Sequence, residues 1–500
     1  MKKKLNAKTI GLLLGPILAI IVLFFDLDPE NRVVTYTLSV AVLMAVWWIT
    51  QAVPISVTSL LPVGLFPLFG IMNGKTVSST YFNHVIFLFI GGFLVALAME
   101  KWNLHKRIAL KILMKVGNKP ANILFGFMLA TAFLSMWMSN TATSMMMIPI
   151  VLSVIHGLKL DKLKGKFQIA LLLGIAYSAS IGGIATLVGT PPNLSFSRIY
   201  NIIFPLAPEI NFISWFIFAL PLTIVLFIII FFWLLYLYHP GKDWNNTSKE
   251  VFKTEYKKLG KSSFEEKVVF TIFVSMALLW ITHSGINLGG FSIPGWSELF
   301  PEPSFINDGT IAILLSSTLF LIPTKKGQHR ILESDVIAKL PWRIVLLFGG
   351  GFALASGFTE SGLSMWFGES LSWVSSYPPL FVVIIITLLM SFLTELTSNT
   401  ATTEMLLPIL AGLAVSIQIN PLLFMLPATL AASLAFMLPV ATPPNAIVFG
   451  TNRIQIKDMI RTGFLINIIA VIIVSLWVYF FGSFAFSQDM LNFPEWAIVN

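Results

Sequence analysis

Four short polar strings stand in a chain that is otherwise largely apolar. Ser139-Asn140-Thr141-Ala142-Thr143 recurs as Ser398-Asn399-Thr400-Ala401-Thr402, and a proline follows each copy, Pro149 and Pro408. Further on come Thr190-Pro191-Pro192-Asn193 and Thr442-Pro443-Pro444-Asn445. Ser, Asn and Thr side chains cap helix starts, and the free N–H groups and positive dipole end of such a start form an anion site. Two successive prolines remove two backbone donors and free carbonyls one turn before them, and those carbonyls can bind a cation. Paired anion-accepting tips suit a substrate with two negative ends. Oxygen ligands nearby suit a hard ion such as sodium.

These strings matter because of what surrounds them. Hydrophobic residues make up 56% of the 500 and charged residues only 11%, against about 25% charged in soluble domains. The elements that position the strings are therefore membrane spans, and polar, helix-breaking residues in spans are costly and usually functional. Apolar stretches long enough to cross lie at about 10–25, 35–53, 54–72, 84–100, 170–195, 212–238, 266–284, 308–323, 343–359, 421–450 and 460–486, eleven in all. The first follows Lys2-Lys3-Lys4 without a small-residue cleavage site, so it reads as a span and not a signal peptide. Two more apolar regions, 120–157 and 380–416, carry the Ser-Asn-Thr strings at their midpoints.

If each of these two regions enters, turns at its string and leaves on its own side, the charged loops sort cleanly. Of 32 Lys and Arg residues, 29 then share the side of the amino terminus, leaving Arg32, Lys75 and Arg198 opposite. The positive-inside rule makes the rich side cytoplasmic, with the carboxyl terminus outside. A shift of 259 residues carries Phe89-Ile90-Gly91-Gly92-Phe93 onto Phe348-Gly349-Gly350-Gly351-Phe352 and Ser139 onto Ser398. The Thr-Pro-Pro-Asn strings superpose at a shift of 252. In this topology copy one begins outside and copy two inside, the inverted repeat of many secondary transporters, whose sites form near the bilayer midplane. The basic stretch His239 to Lys267 joins the halves, with some amphipathic helix expected there.

No Lys or Arg lies from Ala121 to Gly157, from Phe167 to Ser197 or from Leu380 to Asn452. A dianion bound by these elements would be neutralised by bound cations, which couples the two bindings. Glu395 and Glu404 flank the second string where the first has Met136 and Met145. Their expected role is structural, with proton carriage the alternative. Glycines 91, 92, 349, 350 and 351 are expected to allow close helix packing, and His84 to sit at a span edge. The sequence has no P-loop, His-Glu-x-x-His or nucleotide fingerprint, which disfavours an ATP-driven pump, and no nucleophile, base and orienter set for an enzyme. An ion channel is the other class that re-entrant segments allow.

The paired Ser-Asn-Thr strings, each followed by a Thr-Pro-Pro-Asn break, resemble the divalent-anion/sodium symporter family, which includes the INDY proteins and sodium-dicarboxylate cotransporters. The resemblance covers nearly the whole chain. It implies an all-α polytopic membrane protein of eleven transmembrane helices plus two re-entrant hairpins, a homodimer, and an elevator mechanism. The scaffold would comprise 1–118 and 266–379, the transport domain 119–238 and 380–486, with a cytoplasmic linker at 239–265 and an external tail at 487–500. Substrate carboxylates would contact Asn140, Thr141, Asn399 and Thr400, with Thr190, Thr442 and Pro443 nearby. One sodium site would map to Ser135, Ser139, Asn140 and Gly189, the other to Thr394, Thr397, Asn399 and Ala441. The implied activity is transport of C4/C5 dicarboxylates (succinate, malate, fumarate, 2-oxoglutarate) across the plasma membrane by sodium symport. Sodium-independent exchange is the alternative within the family, and transport of an inorganic divalent oxyanion a more distant one. Beyond sodium as coupling ion no cofactor is implied, and no nucleic-acid partner.

Overall fold

The computed structural model describes residues 6–117, 119–157, 166–239, 248–287 and 292–498. Lys2 to Lys4, the lysines at 159, 162 and 164, and the linker stretch 240–247 lie outside the described residues. The first half runs α1 (Ala7–Val22), α2 (Val33–Thr50), α3 (Ile55–Thr58), α4 (Leu61–Leu68) and α5 (Gly74–Ser79). It continues with α6 (His84–Lys101), α7 (Leu104–Val116), α8 (Pro120–Ser135), α9 (Asn140–Gly157), α10 (Phe167–Ile184), α11 (Pro191–Ile203) and α12 (Phe212–Leu237). After α13 (Ser248–Lys258) come α14 (Phe264–Ile281) and α15 (Asp308–Leu321), separated by a two-stranded antiparallel pair, Ile286–Asn287 with Ser292–Ile293. The second half ends with α16 (Trp342–Ser361), α17 (Leu363–Ser370), α18 (Pro379–Thr394), α19 (Asn399–Ser416), α20 (Leu422–Ala432), α21 (Pro443–Phe449) and α22 (Ile456–Phe486).

The repeat is visible in this order: α6 to α12 and α16 to α22 are the same seven elements written twice. Their boundaries follow local chemistry. Pro120 and Pro379 open α8 and α18, and the double prolines open α11 and α21, positions where a missing N–H costs nothing. Asn83, Asn211 and Asn307 cap α6, α12 and α15 through their side chains. Among the described residues six helices are long and apolar enough to cross a membrane, and seven shorter apolar helices accompany them. Within the stretch 54–72, expected as one span, α3 and α4 follow one another as an apolar helix, Ile55–Leu68, interrupted at Ser59 and Leu60, where Pro62 offers no N–H to the turn before it.

Burial separates two kinds of helix. The best apolar window of α10 is 94% buried, whereas that of α22 is 39%. A helix that is apolar all round and buried all round is enclosed by other helices, so α10 stands at the centre and α22 presents a flank outward. Glycines bring elements close where expected: a Cβ on Gly91 would strike Ala312 of α15, one on Gly349 the ring of Tyr81, and one on Gly350 the backbone of Ser59. Gly92 differs, since its nearest neighbours are 3.7 Å from such a Cβ. In the linker, α13 packs on α7 and α9 and buries Phe252. Residues 487–498 pack onto the molecule: Met490 is fully buried, Asn420 Nδ2 donates to the Asp489 carbonyl at 2.9 Å, and Trp496 meets the rings of Tyr200 and Phe204.

Candidate functional site

Each Ser-Asn-Thr string joins two helices. α8 ends at Ser135 and α9 starts at Asn140, while α18 ends at Thr394 and α19 starts at Asn399. Ser139 Oγ accepts from the Ala142 N–H at 3.2 Å and Ser398 Oγ from the Ala401 N–H at 3.5 Å, so each serine caps the helix its asparagine opens. The residue that closes the preceding helix reaches the asparagine. Ser135 Oγ lies 2.6 Å from Asn140 Oδ1 and 2.7 Å from the Ala179 carbonyl, and Thr394 Oγ1 lies 2.6 Å from Asn399 Oδ1 and 2.8 Å from the Ala432 carbonyl. Each hydroxyl has one proton for two neighbours, and it ties the amide of its asparagine to the backbone of α10 or α20.

The Thr-Pro-Pro-Asn breaks carry a contact that local reading did not foresee. Asn193 Nδ2 donates to the carbonyls of Gly183 at 3.2 Å and Thr186 at 2.8 Å. Asn445 Nδ2 donates to Ala435 at 3.1 Å and Leu438 at 3.0 Å, the positions that the 252-residue shift makes equivalent. Each string's last residue thus satisfies carbonyls freed upstream of its prolines, so not all of them are open for an ion.

The two breaks are tied to the tips in opposite senses. In the first half the Thr186 side chain donates to the Met136 carbonyl at 2.5 Å. In the second the Leu438 N–H donates to the Glu395 side chain at 2.9 Å, so side chain and backbone have exchanged roles at equivalent positions. Glu395, buried, also accepts from the N–H groups of Phe436 at 2.7 Å and Met437 at 2.9 Å, and from Asn467 Nδ2 at 2.8 Å. It anchors the extended stretch between α20 and α21, which agrees with a structural role. The departure from Met136 was the signal available in the sequence.

The first expected ion set is partly assembled. Asn140 lies against Gly183, whose carbonyl faces Gly189 so closely that Gly189 leaves no room for a Cβ, and Ser135 joins them through Asn140. Ser139 is engaged as the cap. In the second set Thr394 and Asn399 are bonded, and Thr397 Oγ1 donates to the Leu393 carbonyl at 2.7 Å and lies 2.6 Å from Thr402 Oγ1. Ala441 is buried at the end of the break, its N–H on the Leu438 carbonyl at 3.2 Å. Thr190 and Thr442 are buried caps of α11 and α21, Thr442 Oγ1 accepting from the Asn445 N–H at 3.3 Å. Thr400 is buried in the first turn of α19, whereas Pro443 is exposed at the start of α21. Among the described residues no three His, Asp or Glu side chains cluster to hold a metal.

The tips differ in access. A cavity of about 370 Å³ is lined by Ser139, Thr141, Ala142 and Met145 together with Glu100 and His105. A neighbouring one of about 420 Å³, sharing Glu100 and His105, reaches Lys106 and Glu255. The second tip borders a space of about 10 Å³, between Ser398 and Ala401 on one side and Ala45, Trp48 and Ile49 of α2 on the other.

Two repeats of broken helices, with polar helix starts set among apolar spans, define a membrane transporter. The sodium:sulfate symporter transmembrane region model matches residues 8–487, and the chain belongs to that family. It is 44% identical over 483 residues to the sodium-dependent dicarboxylate transporter SdcS of Staphylococcus saprophyticus, covering 94% of this chain and 91% of that one. It is 46% identical over 500 residues to SdcS of Staphylococcus aureus strain RF122, covering 96% and 92%. Among solved structures it is similar in fold to the YdaH transporter of Alcanivorax borkumensis, with a TM-score of 0.53 and 12% identity over 78% of this chain and 86% of that one. It is similar also to Neisseria gonorrhoeae MtrF, with a TM-score of 0.55 and 13% identity over 86% of each chain.

Proposed function

We propose that the protein is a plasma-membrane symporter that carries C4/C5 dicarboxylates with sodium. The observation that carries this reading is the pair of tip asparagines, each opening a helix and held at 2.6 Å by a hydroxyl of the helix before it. Two such tips match the two carboxylates of one substrate. No Lys or Arg lies in residues 121–157 or 380–452, so the negative charge needs a mobile cation. Oxygen atoms around Gly183 and Gly189 and around Thr394 and Asn399 are ligands of the type a sodium ion takes. The relatives that match over nearly the full chain are named sodium-dependent dicarboxylate transporters, which supports symport over exchange.

The chain's own residues then divide the work. Asn140, Thr141, Asn399 and Thr400 bind carboxylate, and the helix starts they open orient it. The sets Ser135, Ser139, Asn140, Gly189 and Thr394, Thr397, Asn399, Ala441 hold the cations. Since each asparagine belongs to both, cation and substrate fix the same side chain, which is the coupling. The residues α8 to α12 and α18 to α22 form the part that moves as an elevator, as a homodimer anchored by α1 to α7 and α14 to α17. The first tip's cavity, on the side of Lys106 and Glu255, corresponds to an inward-facing state.

The test is uptake of labelled succinate into proteoliposomes. Accumulation driven by an inward sodium gradient is expected with no dicarboxylate inside. A need for internal dicarboxylate together with indifference to sodium would replace symport by exchange, and uptake of sulfate but no dicarboxylate would overturn the substrate class.

A further inference from the structure

Glu404 has no part in the site described above, and its surroundings are unusual. It lies on α19, five positions beyond Asn399, and is 0% exposed. Its Oε1 accepts from the Ser195 hydroxyl of α11. Its Oε2 has no hydrogen-bond partner among the described residues. Opposite stands Gly351 of α16, where a Cβ would collide with the carboxyl group, so this carboxyl fills the space that a glycine leaves. The equivalent position in the first half is Met145, an exposed apolar residue.

An ionised carboxylate has about four acceptor positions and here meets one donor. Buried in that form it would be a charge without solvent or an ion-pair partner, which is strongly disfavoured. Charged and titratable side chains on the helices packed against α19 are Arg198 and Tyr200 of α11, Arg343 and Glu360 of α16, Glu369 of α17 and Tyr36 of α2; α18 and α20 carry none. Among the described residues none of these forms an ion pair or hydrogen bond with Glu404. The neutral acid resolves the imbalance, because a carboxylic acid shares the Ser195 hydroxyl as donor or acceptor and leaves no buried charge.

We propose that Glu404 is a proton-binding site at the face between α11 and α19 on one side and α16 on the other. The proton comes from water and forms the O–H bond of the acid; it returns to water when that face opens. The second half of the proposal rests on the reading that α11 and α19 move against α16 during transport. Protonation then lets the buried carboxyl pass the Gly351 surface, and a proton takes part in the cycle in addition to sodium.

Infrared absorption of the purified full-length protein tests the site without any transport assay. The wild type is expected to show the C=O stretch of a protonated carboxyl that is missing from Glu404→Gln, and superimposable spectra would overturn the site. Should Glu404→Gln not fold, Ser195→Ala keeps the acid and removes its partner, so the band should move to higher frequency; an unmoved band counts against it. For the coupling, fumarate is used because it stays dianionic over the range from about pH 6 to 8. At saturating sodium, uptake by the wild type should fall with rising pH, with a limiting slope of about tenfold per unit for one proton. Glu404→Gln should be flat, and parallel profiles would overturn the coupling. Failure of both proteins to take up any dicarboxylate would remove the transport reading and leave the infrared result to decide the proton site.

Discussion

Asn140 and Asn399 are defined by what holds them more than by where they stand. A hydroxyl of the preceding helix sits 2.6 Å from each amide and also meets a backbone carbonyl of the next helix, which holds the side chain at the tip. Truncation to alanine removes the donor and frees the hydroxyl, yet creates only a small gap at a half-exposed position. Asn140→Ala and Asn399→Ala should therefore lose at least tenfold in dicarboxylate uptake, since a hydrogen bond to a charged group is worth about 1.5–3 kcal/mol. Expression and thermal midpoint should stay near wild type. Proteoliposome uptake and a melting curve on the same preparations read both, and wild-type transport in both variants would refute the assignment. Glu395 is the opposite kind of residue. It accepts three backbone N–H groups and one amide at 2.7 to 2.9 Å, so Glu395→Gln turns one acceptor oxygen into a donor that faces donors. The cost is about 3 kcal/mol, the range for breaking a buried charged network. The expected result is a lowered thermal midpoint in detergent, with Met136→Leu at the equivalent position close to neutral.

At the scale of the element, the ends of helices carry most of the specification. Asp308, first residue of α15, accepts from the Phe212 N–H at the start of α12 at 2.8 Å, and its carbonyl accepts from Trp280 Nε1 of α14 at 2.9 Å. His283, just past α14, places Nδ1 3.2 Å from the Asp308 carboxylate. Burial by itself lowers the pKa of His283; contact with Asp308 and the charge of Glu209 outweigh it, so the net shift is upward from 6.5. A histidine with a raised folded-state pKa adds stability that is fully present below pH 6.5 and is lost as pH rises through the folded value. The midpoint of thermal unfolding should accordingly fall over that window in the wild type and fall less in His283→Asn; identical slopes would show that the junction does not titrate.

Helix ends also explain what could be read in advance. The strings announced where α9, α11, α19 and α21 begin, because caps and N-terminal prolines act within one turn and leave a mark in the local sequence. Asn193 and Asn445 closing their own breaks was within reach too, lying only seven residues from the Thr186 and Leu438 carbonyls. Glu395 with Phe436 and Glu404 with Ser195 were not, since those partners are 41 and 209 positions apart. Periodicity and composition hold no record of such pairings. What the sequence did hold was the mismatch of both glutamates with methionines in the other repeat.

At the scale of the whole molecule, the two halves are alike in parts and unlike in state. The first tip lines a cavity of about 370 Å³ and the second faces about 10 Å³ against α2. Under the proposed inverted repeat with alternating access, the two tips would reach water on opposite sides, and one conformation would open one of them. The absence of cysteine from all 500 residues makes the point directly measurable, because any introduced thiol is the sole one. Ala142→Cys should react with a membrane-impermeant maleimide in inside-out vesicles and stay protected in right-side-out vesicles. Ala401→Cys should be protected from both sides in this conformation, being buried. If the cycle passes through the mirror state, sodium and succinate together should slow Ala142→Cys labelling and expose Ala401→Cys to the outer reagent. Equal labelling of Ala142→Cys from either face would describe an open pore, and labelling of Ala142→Cys only from outside would invert the topology that the 29 bases imply.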